Sequence, residues 1–402
     1  MAVVGAGYAG LAAAVTLADS GARVTVFEAA REPGGRARRI RARGLACDNG
    51  VHILLGAYRT LRALLARVGV AEEQAFLRRP LELRRTDGFL LRTGGPLGAL
   101  GGLLAARGLS GAERWRALLF LARLRHSAGA PRRGETVAAL LARHRQPARL
   151  RDRLWVPLCL ATLNTPPEHA CARVFATVLR ESLGGGGAAS ELLFPRTDLS
   201  RLFPEPALRW LAARGTRVHL GVRVRMLEEV RAAHDAVIVA VAPQHLAALV
   251  PHAGAAFAFR PITTVYLHYA HPLRLPFPML GLAGSPAQWV FDRQALAGEA
   301  GGLACVASAS DALLGLPGAE VARRTDAQLR AELGPLPPLL SHRVITEKRA
   351  TIECAPDRPL VDPLRHAPRL VLAGDYLDPD RPATLETAAR SGVRAAAAVL
   401  SL

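Results

Sequence analysis

Val3-Val4-Gly5-Ala6-Gly7-Tyr8-Ala9-Gly10 opens the chain as a short apolar run that breaks into a G-x-G-x-x-G turn. Leu11 to Leu17 continue as a helix rich in alanine and leucine. A buried strand, a glycine turn and a helix in succession bring the helix-terminal amides and the positive dipole end to a pyrophosphate. Gly5 allows the tight turn, Gly7 the close approach of backbone to phosphate, and Gly10 the close packing of helix on strand. Tyr8 and Ala9 complete that backbone cradle. Arg23 to Phe27 read as a second strand, closed by Glu28 at the spacing where an acid binds a ribose hydroxyl, with Ala29 beside it. Strand, turn, helix, strand and acid together predict a dinucleotide site rather than a structural turn.

Glu28-Ala29-Ala30-Arg31-Glu32-Pro33-Gly34-Gly35-Arg36 narrows the dinucleotide. This stretch resembles the E-x-x-x-x-x-G-G-R extension of the FAD-dependent amine oxidase and phytoene desaturase superfamily. In that superfamily the arginine lies by the FAD diphosphate, which implies the same place for Gly35 and Arg36. Two glycines let a loop fold over a cofactor, and a planar guanidinium suits bidentate phosphate contact. A second block lies near the C-terminus. Arg369 to Ala373 form a buried strand ending in Gly374-Asp375-Tyr376, and Pro382-Ala383-Thr384 start a helix that runs to about residue 400. Gly374 allows close approach, and Asp375 can accept a ribityl hydroxyl or reach the pyrophosphate through water. The positive end of the last helix, at Ala383 and Thr384, favours an anionic reduced flavin. The two blocks together predict FAD rather than a nicotinamide.

The 402 residues, 50% of them hydrophobic, suffice for two linked domains with substantial cores. The formal charge of +19 fits an anionic surface. Lys348 is the single lysine, so 52 − 1 = 51 of the basic residues are arginine, a composition that looks like coding bias. No stretch interleaves aromatics with basic residues, so an anionic membrane surface is favoured over nucleic acid. The five cysteines are scattered and contain no C-x-x-C, which indicates neither a metal site nor a disulfide framework and fits a reducing cytoplasm. The first strand begins at Ala2, which leaves no room for a signal peptide, and no apolar run reaches membrane-spanning length. The expectation is a cytoplasmic protein, peripheral at most on the membrane's inner face.

Between the two blocks, Asp48-Asn49-Gly50 is a turn signal followed by the strand-like run Val51 to Tyr58. His52 and Asp48 are candidates for acid or base work, each with the alternative of a structural role. Residues 58–77 read as a helix and its exit, with Leu61, Leu64, Leu65 and Val68 on one face, and an apolar run over 94–106 is too short to span a bilayer. Arg107, Arg114, Arg116, Arg123 and Arg125 then surround Trp115, Leu118, Leu119 and Ala122, as in an interfacial amphipathic helix or a core helix with a solvated face. Gly134 to Gln146 read as helix. Asn164, between an apolar stretch and Pro166-Pro167, reads as a cap for the following helix or a polar group in a pocket. Gly184 to Gly187 read as a hinge or mobile loop, 204–214 as helix, and 217–224 and 236–241 as strands. Strands at 262–270, 287–291 and 302–308 and a helix over 318–333 suggest an antiparallel sheet carrying helices. The predicted class is α/β: a discontinuous Rossmann-like FAD-binding domain of the glutathione-reductase type (1–80, 195–258 and 346–402) with an α+β substrate domain (81–194 and 259–345).

Three segments carry a narrower resemblance: Asp48 to Tyr58, the Trp155-to-Ala172 block with Leu163-Asn164-Thr165-Pro166, and Pro195-Arg196-Thr197-Asp198-Leu199-Ser200. They resemble the squalene-associated FAD-dependent desaturases, the hydroxysqualene dehydroxylases of hopanoid biosynthesis. Val51 and Cys171 depart from the family pattern, standing where glutamine and serine are expected. The resemblance implies an isoprenoid substrate, hydroxysqualene, reduced to squalene with loss of water, and leaves the electron donor unassigned. It places the Val224 backbone at the adenine. Replacing C–OH by C–H needs a proton donor, for which His52, Asp48 and Tyr376 are the candidates. Competing readings are a carotenoid-type desaturase or isomerase, an amine oxidase, and a non-catalytic prenyl-lipid carrier. With 5% aromatics the amine oxidase lacks material for an aromatic cage, and a carrier has no use for Glu28, Arg36 and Asp375.

Overall fold

The computed structural model describes residues 1–42, 45–93, 98–125, 129–184, 187–364 and 366–401. Residues 185 and 186 of the expected hinge, and 94–97 of the expected apolar run, lie outside the described residues. Five parallel strands form one sheet, in the order Arg217–Leu220, Thr25–Glu28, Ala2–Val4, Val237–Val239 and Leu370–Leu372. Ala2 stands between Thr25 and Val237, so the glycine turn leaves the sheet at its centre. Near-continuous β-branched runs are what a sheet covered on both faces requires. Val3, Val26, Ile238 and Val371 face the helices Tyr8–Asp19 and Leu385–Leu400, while Val4, Val237, Val239, Leu370 and Leu372 enter a separate core on the opposite face. Those two helices meet backbone to backbone: a Cβ added at Gly392 would stand 2.1 Å from the Ala9 carbonyl oxygen.

A second, antiparallel sheet has the order Met279–Gly281, Trp289–Asp292, Gly302–Ser308, Phe259–Tyr269 and Leu339–Ile352. The helix Gly318–Leu333 packs Val321, Ala322 and Leu329 into the largest core with it. Leu339–Ile352 was not foreseen as a strand. It lies at the sheet's edge with most side chains partly or fully exposed, so its sequence lacks the apolar alternation that marks a half-buried strand.

Several local expectations change in the fold. The run Val51 to Tyr58 pairs only at Leu54–Leu55, against Leu192–Leu193. The helix expected within 58–77 is Arg59–Arg67, with Leu61, Leu64 and Leu65 buried, and its exit carries a further short helix, Glu72–Ala75, and the start of a strand, Phe76–Arg79. Asn164 does not cap the helix after the prolines. It closes the preceding one, Val156–Leu163, in the left-handed conformation (φ +47°). Its side chain donates to Arg260 O and Thr351 Oγ1 and accepts from Ala309 N–H, so the amide is consumed in joining three segments. The strand expected over 217–224 ends at Leu220, which leaves Val224 in the loop beyond it. Val222 N–H donates to Glu28 O and keeps that loop beside the acid that ends the second strand.

Candidate functional site

Gly5 takes φ +108°, and a Cβ there would stand 2.5 Å from Ala240 O. At Gly10 an added Cβ would meet Gly5 O at 1.9 Å. Both glycines are therefore enforced by the protein's own backbone. Gly7 differs: its nearest neighbour would be Gly35 Cα, at 3.9 Å. The space in front of Gly7 stays open at the start of a helix with no side-chain cap. The Tyr8, Ala9 and Gly10 amides precede the first i→i−4 bond, from Leu11 N–H to Gly7 O. Tyr8 contributes backbone alone, since its buried ring packs on Phe203 and its hydroxyl donates to Leu199 O. Glu28 accepts from Ala6 N–H at 2.6 Å and Ala30 N–H at 2.8 Å, which fixes its carboxylate against the glycine turn, with Ala29 exposed alongside.

The Gly34-Gly35-Arg36 loop closes over this turn. Gly34 N–H donates to Ala6 O at 2.8 Å, and Gly7 and Gly34 form a parallel bridge. Arg36 then reaches across the chain: one terminal nitrogen donates to both Asp375 oxygens, at 2.6 and 2.7 Å, and the other to Ala350 O at 2.8 Å. Gly374 N–H is held by Ser391 Oγ at 2.9 Å, and a Cβ on Gly374 would collide with the Tyr376 ring at 2.3 Å. The glycine turn, the GGR loop and the Gly-Asp pair therefore form one continuous cradle, and an extended diphosphate-bearing cofactor fits it.

Half-buried Ala383 and Thr384, at the start of the helix Leu385–Leu400, lead to a cavity of about 570 Å³, within the usual range of ligand sites. One end is polar, with Tyr58, Arg59, Glu181, Arg381, Thr384 and Glu386. Burial pushes the Tyr58 phenol up to about 12, partly offset by its hydrogen bond to Thr384, so it stays protonated. Glu386 accepts from Thr60 and Leu61 N–H and thereby caps the helix Arg59–Arg67. Most of the remaining wall is apolar, interrupted by Thr162, Ser182, Ser190, Ser308, Thr387 and Arg390. Leu154, Trp155, Leu158 and Ala161 present one helical face, and Met279, Trp289, Phe291 and Val306 line it from the antiparallel sheet. A π-helical turn over Arg151–Trp155 precedes that helix, and Trp155 is held by its indole N–H to Gln146 Oε1.

The model of the family described as flavin containing amine oxidoreductase matches residues 8–400. The chain is 31% identical to hydroxysqualene dehydroxylase of Rhodopseudomonas palustris, over 99% of its own length and 98% of that protein. The chain belongs to the flavin containing amine oxidoreductase family, with the hydroxysqualene dehydroxylases. To the enzyme of that name from Sinorhizobium fredii it is 29% identical, again over 99% and 98%. An oxidoreductase from Methanosarcina mazei has the same fold, with a TM-score of 0.73 at 17% identity, covering 100% of this chain and 99% of that one. As a member of this flavoprotein family the chain is an oxidoreductase with FAD as its cofactor.

Within this flavoprotein the three proton-donor candidates occupy different surroundings. Val51, Ile53 and Leu55 line the cavity, but His52 between them does not. His52 Nδ1 lies 3.2 Å from Gly50 O, which can only accept, so the proton is on Nδ1. Burial, and to a lesser degree the Arg36 charge, lower its pKa, so the ring is neutral near pH 7 with a bare Nε2. Asp48 is also outside the cavity lining: it accepts from Leu199 N–H at 2.8 Å and anchors that loop. Burial raises its carboxyl to about 6. Tyr376 packs in the core behind the parallel sheet, edge-on to Phe257, with burial raising its phenol and no partner for its hydroxyl among the described residues. Sequence reading missed Tyr58, Glu181 and Arg381. Tyr58 follows Gly56-Ala57 at the end of a quoted motif, but nothing in residue spacing reveals that it meets residues 181 and 381.

Proposed function

We propose that this protein reductively removes the allylic hydroxyl of hydroxysqualene to give squalene. The single observation that carries the reading is the largely apolar cavity of about 570 Å³ that gathers Tyr58, Arg381 and Glu386 with Thr384, at the start of the last helix. Full-length similarity to two proteins of that name supports it. The Gly7, Tyr8 and Ala9 backbone, Glu28, Arg36 and Asp375 hold the FAD phosphates and ribose, and Ala383 and Thr384 hold its ring end. Reduced FAD, when bound, supplies the hydride equivalent that replaces the departing hydroxyl.

The chain's own residues do the remainder. Leu154, Trp155, Leu158, Trp289 and Phe291 exclude water from the isoprenoid chain, so the alcohol is presented in an apolar medium. The hydroxyl lies at the polar end, where the protonated Tyr58 phenol donates to it and helps it leave as water. His52, neutral and outside the cavity lining, is not the donor. An insoluble substrate is best met at a membrane surface, and the net charge of +19 suits an anionic one; no helix of the described residues is long and apolar enough to cross a membrane.

Anaerobic single turnover of reduced, FAD-loaded protein with hydroxysqualene tests the reading. Squalene carrying deuterium from N5-deuterated flavin is the expected product. Recovery of unreacted alcohol, or oxidation of phytoene in its place, would overturn it.

A further inference from the structure

The helix pair Gly98–Leu104 and Gly111–Arg123 has two sides of different character. Leu103 is 2% exposed and lines the cavity, whereas Leu100 and Leu104, on the same short helix, are 47% and 53% exposed. Trp115, near the start of the second helix, is 66% exposed. The Arg114 guanidinium donates to Leu104 O at 3.0 Å and holds the end of the first helix to the start of the second. Ala117 and Phe120 of that second helix are buried, with Leu118 and Leu121 packed against the same core, and Trp115 is left out of it. Arg107 and Arg116, close in the chain to Leu104 and Trp115, are exposed, as are Arg123 and Arg125 at the far end of the second helix. Arg116 donates to a carbonyl, Arg145 O, and has no carboxylate partner among the described residues. Glu113 is the acid in the second helix, and its carboxylate is bound back to Ser110 N–H in a capping box.

We propose that Leu100, Leu104 and Trp115 insert into an anionic bilayer while the surrounding arginines bind its headgroups, so that the Gly98–Leu104 helix is both the membrane contact and a wall of the substrate cavity. The occupant is a lipid surface rather than a protein: large apolar side chains at the centre and one sign of charge around them match the acyl boundary and its phosphates. This deepens the functional reading, because Leu103 and Leu104 are neighbours facing a cavity and a surface that the same isoprenoid would occupy in turn. Substrate would pass from the acyl layer to the cavity beside this helix without crossing water.

Flotation of the FAD-loaded full chain tests it, using phosphatidylcholine vesicles with and without phosphatidylglycerol. The wild type floats with the anionic vesicles and is released by salt, because screening removes the headgroup attraction. Binding falls roughly fivefold per arginine neutralised in Arg107→Gln and Arg116→Gln. It is lost in the double variant Leu104→Ser, Trp115→Ser, whose changes are at the surface and leave flavin content and melting temperature intact. That variant turns over detergent-dispersed hydroxysqualene like the wild type but vesicle-borne substrate at least about tenfold more slowly. Equal flotation of wild type and double variant, or equal binding to neutral and anionic vesicles, overturns the proposal. If the wild type fails on detergent-dispersed substrate, the assignment of the reaction fails, while flotation still decides the surface.

Discussion

Arg36 grips both carboxylate oxygens of Asp375, at 2.6 and 2.7 Å, across 339 positions of chain. The Arg36 side chain is 29% exposed and that of Asp375 10%, so the pair is sheltered but not dry. Through it, the glycine turn at one end of the polypeptide and the Gly-Asp motif at the other become a single surface. Removing Arg36 strands a nearly buried carboxylate. Arg36→Met should cost roughly 2 kcal/mol, between the values for exposed and buried pairs, and lower FAD affinity as well. Chemical denaturation of the apoprotein and flavin absorbance after gel filtration measure the two effects separately.

Gly7 and Gly10 separate cofactor binding from folding. Gly10→Ala forces a methyl to within 1.9 Å of Gly5 O, so the turn must move and soluble protein should be lost. Gly7→Ala meets no atom closer than 3.9 Å, so the apoprotein should melt within a few degrees of wild type. If the pyrophosphate lies over this turn as proposed, the new methyl fills its space and the variant should purify without colour. A yellow Gly7→Ala protein would show that the cofactor does not lie over this turn.

Asp48 gives the fold an acid-side dependence of defined sign. Its carboxyl titrates at about 6 in the fold, against 3.8 ordinarily, because burial disfavours the charge. Between those values the folded chain holds a proton that the unfolded chain has lost. The stability from this group is therefore complete below pH 3.8 and is lost as pH rises through about 6. The full span is about 3 kcal/mol. Asp48→Asn keeps an acceptor for Leu199 N–H and carries no charge. It should raise stability at neutral pH and flatten that limb, as read by denaturant titrations across the range.

Asn164 should prove structural. Asn164→Ala removes three hydrogen bonds from a 4% exposed side chain and puts alanine at φ +47°, for a loss of about 3 kcal/mol. Asn164→Gly relieves the backbone term alone and should recover about 1 kcal/mol of it. Equal melting temperatures for the two variants would show that the left-handed conformation carries no cost.

The parallel sheet and the cofactor cradle were legible because their signals are local. Gly5, Gly7 and Gly10 stand in one turn, Glu28 ends the adjacent strand, and Gly374-Asp375 again follows directly on a buried strand. β-Branched runs and a 3.6-residue period are set by neighbours in the chain, and they marked Gly302–Ser308 and Gly318–Leu333 as well. Leu339–Ile352 escaped because an edge strand buries little and has no need of alternation.

What sequence by itself determined was where the chain must turn, which face of each element is apolar, and therefore which cofactor it is shaped to hold. Tertiary structure decided which polar group answers which. Leu199 claims Asp48, three segments claim Asn164, and alternation along the chain puts Val51 and Ile53 in the cavity and His52 behind them. Tyr58, Glu181 and Arg381 meet only when distant segments pack. A hydrogen bond or an ion pair depends on separation in space, and spacing along a polypeptide does not encode that separation beyond a few turns of helix.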